Sequence, residues 1–152
     1  MSWGRGGDLP GAVLFACNRN AVRSPIAALI LKYLAGARIY VDSAGVRAGQ
    51  PDPFAAAVME ELGIDLSRHR PKSLDELNDS SFDLIVSLSP QAHHKALQLV
   101  HGFAVDVEYW PTQDPLLTEG SREQIMDAYR SVRDGLFRKI KQRLPPAGAG
   151  GV

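Results

Sequence analysis

The sequence predicts an α/β protein: three layers, with a four-stranded parallel sheet between helices on both faces. Two observations carry this. Short apolar runs alternate with segments of helical period along most of the chain, the pattern of repeated βαβ units. The single cysteine, Cys17, stands where the first apolar run gives way to the first helical segment, and parallel sheets bind ligands at that end of a strand.

The elements follow in order. Residues 12–16 (Ala-Val-Leu-Phe-Ala) read as a buried strand. Residues 24–35 read as a helix, with Ser24 as N-cap and Pro25 at its first position. A second strand is expected over 38–43, then a helix over 53–62 ended by Gly63. Residues 82–88 give a third strand, Pro90 to Val100 a helix, and 104–109 a short fourth strand. The last helix, 121–143, keeps Ile125, Tyr129, Val132, Leu136, Phe137 and Ile140 on one side. One domain over 12–143 is expected, between a Gly-rich flexible arm (1–11) and a Pro/Gly/Ala-rich flexible tail (144–152).

Composition narrows the function. The chain has 152 residues and 45 % apolar residues, enough to bury a core. Its 17 basic and 17 acidic side chains give zero formal charge, so no basic footprint for nucleic acid exists. One cysteine forms no internal disulfide. No apolar run is long enough to span a bilayer, and a cytoplasmic protein without a membrane partner is expected. His93-His94 does not form a metal pair, because adjacent positions do not share a helix face; no metal or other cofactor is expected. Arg68-His69-Arg70 with Lys72 reads most simply as a solvated basic loop. Composition leaves the oligomeric state open.

The chemistry concentrates in Cys17-Asn18-Arg19-Asn20-Ala21-Val22-Arg23-Ser24-Pro25. A loop feeding a helix N-terminus supplies backbone N–H groups and the positive end of the helix dipole. Arg23 adds a planar fork matched to two phosphate oxygens. The same positive field favours the thiolate of Cys17, the form that attacks phosphorus. Ser24 is placed to donate a hydrogen bond to the sulfur. Asn20 is of a type that tolerates the left-handed conformation. The bland alternative, a cysteine serving only as a small buried hydrophobe, leaves Arg23, Ser24 and Pro25 unexplained.

This segment resembles the phosphate loop of the low-molecular-weight protein tyrosine phosphatases, whose fold is shared by thioredoxin-coupled arsenate reductases. Val41-Asp42-Ser43-Ala44-Gly45, Gly63-Ile64-Asp65-Leu66-Ser67-Arg68-His69-Arg70 and Asp114-Pro115 resemble later landmarks of the family, in order, over roughly residues 12–143. The resemblance implies these roles: Cys17 as nucleophile, Arg23 as clamp, Asp114 as general acid and then base. It implies oxyanion contacts from Asn18, Arg19, Asn20, Ala21, Val22, Arg23 and Ser24. Asn20, Ser24, Ser43 and His69 would brace the loop. A positioned acid accelerates departure of an alkoxide or phenolate by ~10²–10⁴-fold, and a neighbouring dianion favours the protonated carboxyl. Taken alone, Asp114-Pro115 reads as a turn.

The sequence departs from the family pattern at several points. Arg19 stands where a glycine is usual, and Val22 where many members carry a second cysteine. Leu116 replaces the tyrosine after Asp-Pro, and Ser87-Leu88-Ser89-Pro90 lacks the usual acidic residue. Trp110-Pro111 leans toward the arsenate reductases. The expected function is therefore a phosphomonoester hydrolase, foremost a protein tyrosine phosphatase forming a cysteinyl-phosphate. Its partner would be a phosphorylated protein or a small phosphomonoester. Two alternatives stand beside it. One is an arsenate reductase using an external low-molecular-weight thiol; the other is an oxyanion-binding module without turnover.

Overall fold

Strand β1 (Ala12–Cys17) lies inside a four-stranded sheet of order β2-β1-β3-β4, with β2 at Tyr40–Gly45, β3 at Leu84–Ser87 and β4 at Asp106–Tyr109. The structure, a computed structural model, describes residues 9–77 and 81–144. All pairs are parallel, and β1 pairs through Phe15↔Ser43 on one side and Phe15↔Val86 on the other. The chain passes from β1 to one neighbour and later returns to the other. The crevice at this reversal, beyond the carboxyl end of β1, is where Cys17 sits.

Alternation along β1 divides the core. Val13 and Phe15 face a cluster with Ile26, Ile30 and Leu31 of α1 (Arg23–Ala35), Val58 and Met59 of α2 (Pro53–Glu60), and Leu136 and Ile140 of α4 (Arg122–Arg143). Leu14 and Ala16 face the smaller opposite cluster with Ala92 and Ala96 of α3 (Pro90–Leu99). Helices thus cover both faces, as expected. Asp52 caps α2 and Ser89 caps α3, each followed by proline at the first helical position. Ser121 and Gln124 form a capping box at the start of α4.

The boundaries shift by a residue or two at several elements: α2 ends at Glu60, and β3 and β4 are shorter than expected, at Leu84–Ser87 and Asp106–Tyr109. Helix α1 begins at Arg23 rather than Ser24, and Val22 at its cap makes no side-chain capping bond. The Ser24 hydroxyl, expected to cap, is directed to Cys17 and Asn20 instead. Residues 36–38 form a 3-10 turn, which delays β2 and lets it run on to Gly45. Leu144, assigned to the tail, is buried against the core at 1 % exposure, and Pro10, assigned to the arm, is buried too. The remainder of that arm and tail, 1–8 and 145–152, lies outside the described residues.

Candidate active site

Residues 17–22 link β1 to α1, and their carbonyls are turned into neighbouring segments. Val46 N donates to Cys17 O at 2.9 Å, Arg47 N to Asn18 O at 3.0 Å and Gly49 N to Arg19 O at 2.8 Å. His69 Nε2 donates to Asn20 O at 2.7 Å, which requires the hydrogen on that ring nitrogen. A loop with its carbonyls committed in this way can offer its amides to the enclosed side, as backbone nests do for anions.

Asn20 is the keystone. It is fully buried, and at φ 55° it is the one non-glycine residue with positive φ among those described. Asparagine tolerates that conformation better than most residues. Its side-chain amide donates to Ser24 Oγ and Ser43 Oγ, both at 2.9 Å, and its Oδ1 accepts from Lys72 N at 3.0 Å. Arg19 needs no left-handed conformation, so an arginine there carries no backbone strain. Gly45, by contrast, is required: a Cβ there would lie 2.7 Å from Asn20 N and 2.8 Å from the carbonyl carbon of Arg19.

Cys17 is 2 % exposed, with Sγ 2.9 Å from Ser24 Oγ. Ser24 has one hydroxyl hydrogen and already accepts from Asn20. Its remaining targets are the sulfur at 2.9 Å and Ala44 O at 3.4 Å, so the geometry favours the sulfur. Arg23 is 7 % exposed; its Nη1 donates to Thr112 O at 2.9 Å and its Nη2 lies 3.7 Å from Asp114 Oδ2. The other carboxylate oxygen, Oδ1, accepts from Leu116 N at 3.0 Å, capping the short 3-10 turn Pro115–Leu117.

Cys17, Arg19, Ala21, Val22, Arg23, Asp114 and Leu116 line one small cavity. The structure thus brings the expected nucleophile, clamp and acid together, although they are far apart in sequence. Asn18, Asn20 and Ser24, whose expected oxyanion contacts run through backbone amides, are not among the residues lining this cavity, and their side chains bond within the surrounding structure. Asn18 Oδ1 accepts from Ser89 Oγ at 2.6 Å, and the other two brace the sulfur and the loop. Ser43 and His69 lie behind the loop, against Asn20. Burial holds His69 below the ordinary histidine value of 6.5, with the nearby Lys72 acting in the same direction.

Sequence reasoning missed several supports. Lys72 contributes its backbone N–H to Asn20, and its ammonium is fixed on Asp42 at 2.6 Å. Ser89 both caps α3 and holds Asn18. Thr112 supplies the carbonyl that orients Arg23. His93 Nδ1 lies 2.8 Å from Ser87 Oγ, and its ring stacks on Tyr109 at 4.9 Å. No group of three or more metal-binding side chains occurs among the described residues, and no helix there is long and apolar enough to cross a membrane.

Comparison with known proteins extends this geometry. The sequence model described as low molecular weight phosphotyrosine protein phosphatase matches residues 12–145. A glutaredoxin arsenate reductase of Synechocystis sp. is 37 % identical over 129 residues, covering 85 % of this chain and 92 % of that protein. Among solved structures, an arsenate reductase in its phosphate-binding state superposes with TM-score 0.68 at 27 % identity, covering 86 % and 94 % of the two chains. The arginine phosphatase YwlE, with a phosphorylated active-site serine, superposes with TM-score 0.72 at 25 % identity, covering 86 % and 91 %.

Proposed function

The chain belongs to the low molecular weight phosphotyrosine protein phosphatase family, and from that premise we propose that it is a cysteine-dependent phosphomonoester hydrolase. The carrying observation is the single cavity shared by Cys17, Arg23 and Asp114. Cys17 Sγ attacks phosphorus in line and forms an S–P bond. The ester oxygen leaves with the proton of Asp114. Arg23 and the loop amides hold the equatorial oxygens, where negative charge is spread in the transition state. Asp114 then takes a proton from water as that water attacks phosphorus. The S–P bond breaks, inorganic phosphate leaves and the thiolate returns, supported by the Ser24 hydroxyl.

A second reading is supported by the names of the relatives, which favour it more directly than a tyrosine phosphatase. Arsenate is a tetrahedral oxyanion like phosphate, and the same loop would accept it. An internal disulfide relay needs further cysteines, and this chain has one. The reductase reading therefore uses an external thiol. In it, Cys17 Sγ bonds to arsenic as an oxygen leaves as water, and the external thiol attacks that sulfur so that the S–As electron pair departs with arsenic as arsenite. A second thiol then attacks the mixed disulfide, releasing the external disulfide and the Cys17 thiolate.

The two readings part in one assay. Hydrolysis of p-nitrophenyl phosphate without added thiol, lost in Cys17→Ser, supports the hydrolase. Arsenate-dependent oxidation of an added thiol, without phosphatase activity, replaces it with the reductase. Oxyanion binding with neither activity leaves a binding module.

A further inference from the structure

A groove continues outward from the Cys17 cavity, sharing Arg19, Ala21 and Leu116 with it and reaching Phe54. Its lining is largely apolar, with Phe54, Leu116 and Ile125 along it, and includes two exposed arginines, Arg19 and Arg47. Neither arginine has a carboxylate partner among the described residues, in contrast to Arg130, which meets Glu61, Glu123 and Asp127. The carboxylate that lines the groove, Asp52, is bonded elsewhere. Asp52 Oδ1 accepts from Phe54 N and Ala55 N at 2.8 and 3.2 Å, and Oδ2 accepts from the Tyr129 hydroxyl at 2.7 Å. Asp114, at the inner end, faces Arg23.

Arg19 is also seated. Gly49 N bonds its carbonyl, and a Cβ on Gly49 would lie 2.9 Å from Arg19 Cβ and 3.5 Å from Cδ. The absent side chain at position 49 therefore leaves room for the aliphatic stem of Arg19. Arg47, two residues earlier, is tied to the same loop through Asn18 O. Two cations lining one groove repel each other, and an anion between them relieves that repulsion.

We propose that Arg19 and Arg47 are specificity determinants selecting a leaving group that carries a second negative charge beyond its phosphoester, with its apolar portion lying along Phe54 and Leu116. This rests on the hydrolase reading. The second charge is a carboxylate or phosphate, carried either by a small molecule or by the flank of a phosphopeptide. The arginine at position 19, the departure from the family's glycine, then has a role in substrate choice.

The test compares substrates with matched leaving groups: 3-(4-phosphonooxyphenyl)propanoate against its methyl ester, and a phosphotyrosine peptide with Glu flanks against one with Gln flanks. The charged member of at least one pair is expected to show roughly 10-fold higher kcat/KM, from one charge-assisted contact. The preference should shrink with added salt. It should fall toward unity in Arg47→Gln and in Gly49→Ala, which displaces Arg19. Preference within the aryl pair assigns a small-molecule substrate; preference within the peptide pair alone assigns an acidic phosphopeptide. Equal kcat/KM within both pairs overturns the proposal while leaving the hydrolase reading intact. If wild type hydrolyses neither, that reading fails, and calorimetry of the aryl pair on Cys17→Ser then decides the groove's preference by binding alone, equal affinity overturning it.

Discussion

The two halves of the site are held in different ways. The Cys17 loop is pinned from behind: four successive carbonyls accept bonds from other segments, and Asn20 fills the space beneath with three side-chain bonds. The Asp114 segment is held at fewer points. Thr112 N reaches Leu88 O at 3.1 Å, Thr112 O receives Arg23, and Asp114 caps its own turn, while Leu116 and Leu117 are 44 % and 78 % exposed. The Cys17 loop is therefore built into the fold. Asp114 is tied to it chiefly through Arg23. Substitutions of the bracing residues in the first half, Asn20 above all, should alter folding as well as chemistry, and those in the second half chemistry alone.

The sharpest break is at the sulfur. Cys17→Ser should lower turnover by at least ~10³-fold, while thermal unfolding shows a near-native transition, since a small buried side chain replaces one of similar size. Asp114→Asn comes next. It should slow substrates with poor leaving groups by ~10²–10⁴-fold and good ones much less. Its amide can still cap Leu116, so the unfolding midpoint should hold. A uniform loss across leaving groups would argue against acid catalysis.

Asn20→Ala probes the other half. It strips partners from buried Ser24 and Ser43 and from Lys72 N, and puts alanine at positive φ. Urea unfolding should show a loss of ~2–4 kcal/mol, with activity falling in parallel. A stable but inactive variant would break the contrast between the halves.

The smallest effect is a pH dependence. Burial holds native His69 below its usual 6.5, so the unfolded chain binds that proton better. Stability should therefore drop as pH falls through 6.5 and approach a plateau below the native value. His69→Gln, which keeps a donor for Asn20 O, should flatten this stretch of the curve in denaturation series at several pH values.

What the sequence made legible was local. Apolar runs marked every strand, helical periodicity marked the helices, and Ser24-Pro25 signalled a helix start. At α1 that logic misfired, because the Ser24 hydroxyl serves the sulfur and so is not free to cap. The crossings were less visible. Lys72 acts through its backbone N–H, which carries no sequence signature. Ser89 caps α3, and its second role depends on Asn18 lying across the crevice. Gly45 and Gly49 were readable as glycines, but their necessity lies in a long-range approach of the 45–49 segment to the 17–20 loop. Neutral net charge likewise concealed the segregation of unpaired arginines at one groove and paired ones along α4.

The central claim is that Cys17 carries the phosphoryl group between substrate and water. Wild-type protein mixed with a phosphomonoester, acid-quenched within a turnover and digested, tests it by mass spectrometry of the Cys17 peptide. The account predicts one phosphoryl group on that peptide, accumulating further in Asp114→Asn with an activated aryl phosphate. Hydrolysis proceeding with that peptide unmodified at every quench time would contradict it.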